Sequence, residues 1–353
     1  MRLLLQKICR PFFVWLALKF SAAPRRQKVF AALSHLYRLL IKGSTGKGMA
    51  LEADSYNAKF IIFSDQHKGA KDTADDFENN AFNYVSALRY YNHLGFTFIN
   101  LGDAEELWKY KMDRVLPAYK DVLKEEAAFQ QGGRYYRVFG NHDVAWKNKL
   151  DVSLNLEKYF SAPLPVYEAL LLELVMDKST AAPAASATKN ILHIFLTHGH
   201  QGDGMSDGNA FSAWIIAHIW APLQRLLNIN VNTPSNDTLL RNKHNKMMYE
   251  WSQRKKNLLL ITGHTHQPVF ASGKYNISDK HKIAPAAEDT RLLPTYYNTG
   301  CCCFNDGDIT GIEIEAGCIR LVKWHTENNI SVKKVLEEST LDNIYQDIQT
   351  GNG

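Results

Sequence analysis

Two histidines in the C-terminal half of the chain are spaced as metal ligands often are. They are His264 and His266, and they follow a glycine that ends the apolar run 258–262. Neutral imidazole is the commonest side-chain ligand for transition metals, and an apolar run of this length predicts a buried strand. A strand that ends in such a pair predicts half of a metal site. Alone, such a pair is more often a surface feature, so the prediction depends on partners elsewhere in the sequence.

Polar side chains follow four further apolar runs in the same way. The runs 60–63, 96–101, 135–139 and 191–196 each predict a strand. In open α/β sheets ligands bind at the carboxyl ends of strands, so residues far apart in sequence can meet there. Oxygen and imidazole ligands without sulfur suit manganese, iron or zinc. The polar residues after these runs are Asp65, His67, Asp103, Asn141, His142, Asp143 and His198.

The segments between the strands are typical of helices. The segment 73–93 carries acidic residues in its first turn, where the helix dipole favours them. A second helix is predicted to run to Phe129, and a long strand to span 166–176. Near the C-terminus we expect a hairpin of strands 309–315 and 318–325, followed by a polar helix over 328–349.

A helix-rich insertion is expected at about 204–256, before the last of the five strands. Its part 211–223 is apolar nearly all round, which predicts either a second small core or an apolar groove over the site. The companion segment 236–256 is basic and includes His244, and its charges either meet phosphates or are solvated. Residues 178–189 are a low-complexity loop.

Length and composition indicate a protein that can bury a full core. The chain has 353 residues, 45% of them hydrophobic, which fits one large domain with appendages or two small ones. The formal net charge of +5 is mild and argues against nucleic acid as a partner.

Residues 1–51 contain basic residues but neither Asp nor Glu. Apolar stretches alternate with the bases as in an amphipathic helix, a pattern typical of segments that lie on anionic membranes. An ordinary helix that packs its apolar face on the domain is the first alternative, and a targeting segment is the second. We therefore expect residues 1–47 to contact an anionic membrane surface.

The five cysteines do not form a disulfide framework, because their number is odd and Cys301, Cys302 and Cys303 are adjacent. Reduced thiols in a cytoplasmic protein are the simpler interpretation. We expect no thiolate metal site, since no Cys-x-x-Cys pair is present.

The five clusters together resemble the motifs of the calcineurin-like metallophosphoesterase superfamily. They match in order as Asp65-Gln66-His67, Gly102-Asp103 with Glu106, Gly140-Asn141-His142-Asp143, the lone His198, and Gly263-His264-Thr265-His266. The resemblance covers about residues 58–325. It implies an α/β sandwich of two β-sheets flanked by helices, with the helical insertion and the basic N-terminal helical segment as additions.

The resemblance also implies two divalent metal ions, with manganese favoured and iron or zinc as alternatives. A hydroxide shared by the ions would attack phosphorus in line. His142 would stabilise charge or protonate the leaving oxygen, and Asp143 would orient its ring. His200 is the alternative to His198. The implied ligands are Asp65, His67 and His266 for one ion, Asn141, His198 and His264 for the other, and Asp103 between them.

The second motif departs from the commoner pattern of the superfamily. It ends in Glu106 and is followed by Leu107 and Trp108, which resembles the branch of UDP-2,3-diacylglucosamine hydrolases. That branch typically has arginine where this chain has His142. A lipid-linked substrate is therefore suggested, while the branch itself stays open. Trp108 is expected to be a core or lid residue, with stacking on substrate as the alternative.

These observations predict a metal-dependent phosphoesterase that acts on a phosphomonoester or a pyrophosphate. The substrate is expected to be a phosphorylated small molecule or a lipid-linked molecule. A soluble nucleotide or protein phosphatase is the first alternative, and a non-catalytic membrane-associated scaffold is the second. We expect an N-terminal segment and linker at 1–52 and a metallophosphoesterase domain at 53–353. The expected location is the cytoplasm, with peripheral attachment to the inner face of a membrane as the alternative.

Overall fold

The computed structural model describes residues 25–43, 46–176, 190–202, 238–270 and 293–351. The predictions for residues 1–24, for the loop at 178–189 and for the apolar helix at 211–223 lie outside the described residues.

Twelve strands and six helices, besides several short helical turns, make up the described residues. The strands are β1 (Gly48–Asp54), β2 (Lys59–Phe63), β3 (Thr97–Leu101), β4 (Tyr135–Val138), β5 (Val166–Tyr167), β6 (Ala169–Val175), β7 (Ile191–Thr197), β8 (Leu258–Thr262), β9 (Tyr296–Asn298), β10 (Ile309–Glu315), β11 (Cys318–Glu327) and β12 (Ile330–Thr340). The helices are α1 (Arg26–Ile41), α2 (Ala81–His93), α3 (Met112–Ala118), α4 (Lys120–Gln131), α5 (Thr238–Ser252) and α6 (Leu341–Gly351).

The strands form two sheets. One has five strands in the order β1-β6-β7-β8-β9, and the other has seven in the order β12-β11-β10-β2-β3-β4-β5. Strands β2, β3 and β4 are parallel neighbours in the larger sheet, and β7 and β8 are parallel neighbours in the smaller one. The five strands with predicted ligands after them are therefore adjacent within their sheets, with carboxyl ends at a shared edge.

The core between the two sheets is built from the alternation of side chains along each strand. Ile62, Ile99 and Val138 of the larger sheet pack in one buried cluster with Ile194 and Ile261 of the smaller sheet. Residues of this kind are fully removed from water, so hydrophobic burial holds the sheets face to face. The predicted α/β sandwich is confirmed.

Helices cover both outer faces. Ile61 and Phe98, which alternate with the inward residues, pack on the outer side against residues of α2 and α4. On the smaller sheet, Leu171 and Leu260 pack with residues of α1 and α5, among them Trp251. Helix α5 is the described part of the expected insertion, and it lies against the domain core.

The second half of the basic N-terminal segment is part of this packing. Val29, Leu33, Leu36 and Leu40 of α1 are buried in the cluster on the smaller sheet. Strand β1 follows and pairs in parallel with β6 over its whole length. For residues 26–54 the arrangement corresponds to the alternative of a helix packed on the domain. Within the described residues, none of the helices combines the length and apolar character that crossing a membrane requires.

Three predicted elements differ from the structure. The predicted polar helix over 328–349 is wrong for its first part, because Ile330–Thr340 forms β12 and only Leu341–Gly351 is helical. Strand β12 pairs along the whole of β11, and its β-branched residues suit a strand despite the many charges around them. Pairing to an available strand edge outweighed local polarity.

The predicted helix over 73–93 begins only at Ala81. The Asp75 carboxylate accepts hydrogen bonds from the backbone N–H groups of Lys71 and Phe77, at 2.7 and 2.9 Å. Such local bonds compete with helical ones. The predicted strand over 166–176 is interrupted at Glu168, so that β5 lies in the larger sheet and β6 in the smaller one.

Candidate metal centre

Three of the predicted ligands form one cluster at the shared edge of the sheets. His266 Nε2 lies 3.1 Å from His67 Nε2 and 3.2 Å from Asp65 Oδ1. The distance from His67 Nε2 to Asp65 Oδ1 is 3.9 Å. All three side chains are buried. We call Asp65, His67 and His266 the first half-site.

We call the remaining predicted ligands, Asn141, His198 and His264, the second half-site. His198, His264 and Asp103 offer ligand atoms within 4.8 Å of one another. Asp103 Oδ2 lies 3.1 Å from His198 Nε2 and 3.7 Å from His67 Nε2. Asp103 therefore stands between the two half-sites. The alternative residue His200 belongs to none of the potential ligand groups among the described residues.

Three of the histidine rings are held by a hydrogen bond at Nδ1, which directs Nε2 into the centre. His67 Nδ1 lies 3.2 Å from Glu106 Oε2, His198 Nδ1 lies 2.9 Å from the Leu101 carbonyl, and His266 Nδ1 lies 3.6 Å from Cys303 Sγ. An N–H donated to such a partner leaves Nε2 as an acceptor. This is the usual way in which proteins orient a histidine that binds metal.

The backbone at the centre adopts an unusual conformation. Asp65, His67, Asp103, His264 and His266 all have φ between 51° and 68°. Residues other than glycine rarely adopt this left-handed region, and such residues concentrate at functional sites. Each of these turns therefore aims a ligand at some cost in backbone energy.

Glycines allow the turns to approach closely. A Cβ at Gly140 would lie 2.6 Å from the Asp103 backbone nitrogen, which no real structure tolerates. A Cβ at Gly263 would collide with the side chains of Ser64 and Asp65. The glycines of the third and fifth motifs are therefore required by the contact between motifs.

His142 lies at the mouth of the centre with 13% of its side chain exposed. Its Nδ1 lies 2.9 Å from Glu106 Oε1, and its ring stacks on Trp108 with a centroid distance of 4.0 Å. His67, Asp103 and His142 also offer atoms within 4.8 Å of one another. Glu106 thus contacts both a predicted ligand and the predicted acid.

Asp143 contacts the backbone of two motif turns, and its role in orienting the His142 ring stays a prediction. Its carboxylate accepts hydrogen bonds from the backbone N–H groups of Gly140 at 2.6 Å and Ala104 at 2.9 Å. Arg137, itself fully buried, lies 3.5 Å from it. Asp143 holds two motif turns together, and Glu106 takes the position beside the His142 ring.

The donor set at the centre has the chemistry of a cation site. Within the described residues, the buried atoms Asn141 Oδ1 and His198 Nε2 have no hydrogen-bond partner. His198 Nε2 and Asp103 Oδ2 are both acceptors when His198 donates to Leu101, yet they are 3.1 Å apart. Acceptors at this distance repel unless a positive charge lies between them. In the metal-free protein a proton on His198 can supply it, because Asp103 and Asp65 outweigh burial and raise the pKa of His198 to about 9, and a metal ion can take the place of that proton. The residues therefore fit divalent cations.

Comparisons with known proteins agree with this site. The family model of the calcineurin-like phosphoesterases matches residues 58–268, more than half of the chain. The chain belongs to this family. None of the curated proteins matches the sequence.

Several solved structures resemble the phosphoesterase chain at low identity. Vacuolar protein sorting 29 from Cryptosporidium parvum is 12% identical with a TM-score of 0.36, over 81% of this chain and 99% of its own. A single mutant of Vps29 from Entamoeba histolytica is 11% identical with a TM-score of 0.29, over 79% and 98%. GAP50, the anchor in the inner membrane complex of Plasmodium, is 11% identical with a TM-score of 0.38, over 83% and 94%. At these TM-scores the likenesses carry no conclusion about activity.

The electrostatics of the phosphoesterase centre differ between its two sides. Burial alone raises the pKa of Asp65, but His266 and His198 outweigh it and hold the pKa well below its ordinary value. Burial lowers the pKa of His266, but Cys303 and Asp65 raise it to about 10. By contrast, burial together with His244 and His198 depresses the pKa of His264 well below its ordinary value.

Three residues at the centre were not among the predicted site residues. Glu106 closes the second motif, so its position in that motif was the available signal. Cys303 was set aside because its cysteine neighbours lack metal-site spacing, and only the fold shows that it reaches His266. His244 was grouped with the charges of its helix, whereas its ring lies 5.2 Å from that of His264.

Proposed function

We propose that the chain is a metal-dependent phosphoesterase that hydrolyses a phosphomonoester or a pyrophosphate bond. The observation that carries the proposal is the pair of half-sites that share Asp103, with imidazole nitrogens from His67, His198 and His266 directed between carboxylates. Two divalent ions held there would activate water for attack on phosphorus and neutralise the phosphoryl oxygens.

The protein residues around the centre have distinct tasks in this proposal. Glu106 holds the His142 ring through Nδ1 at 2.9 Å, and the ring lies at the mouth, where it can donate a proton to the leaving oxygen. Trp108 stacks on the same ring and restricts its rotation. The contacts of Asp143 hold the turns of Asp103 and Asn141 at a fixed distance from each other.

Manganese is the favoured metal, because most donors at the centre are oxygen and imidazole nitrogen. Cys303 Sγ lies 3.6 Å from His266 Nδ1 and within 4.8 Å of potential ligand atoms of His67 and His266. Iron and zinc are the alternatives. Metal analysis of the purified protein tests this point. Two equivalents of a divalent ion per chain support the proposal, and a single equivalent contradicts its dinuclear form.

For the substrate we propose an amphipathic or lipid-linked molecule. A shallow depression of about 450 Å³ is lined by Leu107, Met112 and Ala145 together with Tyr110, Lys111, Asp113 and Asn155. The Leu107 N–H donates to the His142 carbonyl at 3.2 Å, so the depression and the acid share one loop. Leu150 and Leu154 lie on the nearby turns with 62% and 54% exposure. An apolar leaving group would find contacts here.

A soluble nucleotide or protein phosphatase is the competing function. Hydrolysis rates for a lipid-linked pyrophosphate and for a panel of nucleotides and a phosphopeptide, measured with manganese, separate the two. Faster turnover of the lipid supports the proposed substrate. Faster turnover of a nucleotide or of the phosphopeptide replaces it, and no turnover of any phosphate ester, despite bound metal, favours the scaffold alternative.

We also propose that the basic N-terminal segment attaches the protein to the inner face of a membrane from the cytoplasm. Helix α1 presents Arg26, Lys28 and Arg38 to solvent while its apolar face is buried on the domain. Residues 1–24 must therefore supply the apolar contact. Deleting these residues alone, and leaving α1 in place, should abolish sedimentation with phosphatidylserine vesicles and leave hydrolysis of a small ester unchanged. Sedimentation equal to that of the full chain would reject the proposal.

A further inference from the structure

Several buried polar atoms near the second half-site lack partners. Within the described residues, His200 Nδ1, Gln201 Nε2 and both ring nitrogens of His244 form no hydrogen bond of good geometry. These residues are only 1%, 2% and 4% exposed. Buried polar groups in folded proteins are nearly always bonded, so unpaired ones point to a missing ligand or water.

The histidines form a continuous arc. The ring of His200 lies 5.5 Å from that of His198, His198 lies 5.2 Å from His264, and His264 lies 5.2 Å from His244. His244 comes from α5, which is outside the five motifs. Of the four rings only His264 is partly exposed, and through it the arc reaches the mouth of the centre.

The donors of this arc suit an anion better than another cation. Neither His200 nor His244 belongs to a group of potential ligand atoms within 4.8 Å among the described residues. A neutral imidazole always carries one N–H, whichever tautomer it adopts. The backbone of Gly199 lies within reach of the His244 ring, but neither ring nitrogen makes a hydrogen bond of good geometry, so the ring N–H can turn to another acceptor. Oxygens of a phosphate accept such bonds.

We propose that His200 and His244 form a phosphate-binding position beside His264, where their ring N–H groups donate to oxygens of the substrate phosphoryl group. The inference rests on the proposed function, because Asp103 would repel an anion unless cations were bound between the half-sites. Phosphate should therefore bind the metal-loaded protein and not the metal-free protein.

A calorimetric titration of the manganese-loaded full-length protein with inorganic phosphate tests the inference. His244→Phe fills the space of the ring without an N–H, whereas His244→Asn keeps an amide donor. We expect His244→Phe to weaken phosphate binding about 10- to 100-fold, the effect of losing a hydrogen bond to a charged group. His244→Asn should bind phosphate more tightly than His244→Phe. His93→Ala, at an exposed histidine, is the control and should bind as the wild type does.

Metal content and thermal unfolding show whether each variant is loaded and folded. His200→Asn is measured in parallel, in case a variant at residue 244 does not fold. Unchanged phosphate affinity in folded, metal-loaded His244→Phe would overturn the inference. Loss of metal from His244→Phe would also overturn it, since His244 would then support an ion. If wild-type protein binds metal and cleaves no phosphate ester, the proposed function fails instead.

Discussion

The two half-sites of the metal centre differ in how far the protein itself pairs their inward-facing atoms. In the first, Ser64 donates to Asp65, and His67 and His266 contact Glu106 and Cys303 through Nδ1. In the second, the Leu101 carbonyl holds His198 through Nδ1 at 2.9 Å, but Asn141 Oδ1 and His198 Nε2 have no hydrogen-bond partner within the described residues. The inward-facing atoms of the first half-site therefore contact one another, whereas two of those in the second are left to be completed by what binds.

The charges of the two half-sites differ in part. The first half-site pairs carboxylates with imidazoles whose pKa values are raised, to about 10 for His266. Around the second, burial and neighbouring histidines lower the pKa of His264 well below its ordinary value, and burial, together with His198, lowers that of His200 to about 3. The first half-site thus compensates its own charge. In the second, burial lowers the pKa of His198 but Asp103 and Asp65 raise it to about 9, so the neutral rings are those of His264 and His200. We expect the first to bind its ion more tightly and the second to receive the substrate.

Asp103 belongs to both half-sites, so its removal should have the largest effect. Asp103→Asn replaces a shared carboxylate by a neutral amide, and we expect a fall in kcat of at least about 10²- to 10³-fold, as when a major electrostatic contribution is removed. Affinity for both ions should fall. Steady-state kinetics and metal analysis measure the two effects, with the exposed Asp121→Asn as the control. Retention of both ions with unchanged kcat would remove Asp103 from the centre.

The two histidines of the last motif should separate the half-sites. His266→Ala should abolish the tighter of two binding events in a metal titration, because His266 contacts Asp65 and His67. His264→Ala should abolish the weaker one, because His264 groups with Asp103 and His198. Competition with a chelator during the titration resolves the two events. If both variants lost the same ion, the division into half-sites would be wrong.

Replacing Cys303 tests whether the contacts behind the ligands of the first half-site strengthen its metal binding. Cys303→Ala removes the contact to His266 Nδ1 and should weaken binding of the tighter ion about 10- to 100-fold, as is usual when a partner behind a metal ligand is lost. Cys303→Ser should recover part of the affinity, because a hydroxyl can replace the hydrogen bond.

The neighbouring Cys302→Ala is the matched control for Cys303. Cys302 is equally buried, but its sulfur faces the Thr310 carbonyl at 3.9 Å. Its replacement should leave metal affinity unchanged. An intense sulfur-to-cobalt absorption band in the cobalt-loaded wild type would show instead that Cys303 is itself a ligand, and the first half-site would then contain sulfur.

The sequence predicted the five ligand-bearing strands because each is a buried apolar run closed by a short motif. The same local patterns could not show which residues support the ligands. Glu106 and Cys303 reach His67 and His266 across 39 and 37 residues, through contacts that only the packed sheets create. Strand β12 was missed for a similar reason, since its conformation follows from pairing with β11 and its own sequence is largely polar.

Replacing Trp108 should have the smallest effect on kcat of the substitutions considered. It separates the residues at the mouth of the centre from those that hold metal. The indole stacks on His142 at 4.0 Å and is itself partly exposed. Trp108→Ala should therefore lower kcat about 10-fold or less by allowing the His142 ring to rotate, an effect on the order of 1 kcal/mol. Trp108→Phe keeps a stacking ring and should retain most of the activity. Metal titrations should be unchanged in both variants, because neither half-site contacts the indole in the described structure. A loss of metal from Trp108→Ala would mean that the Glu106 loop depends on the stack, and the mouth would then belong to the part of the centre that the protein holds in place.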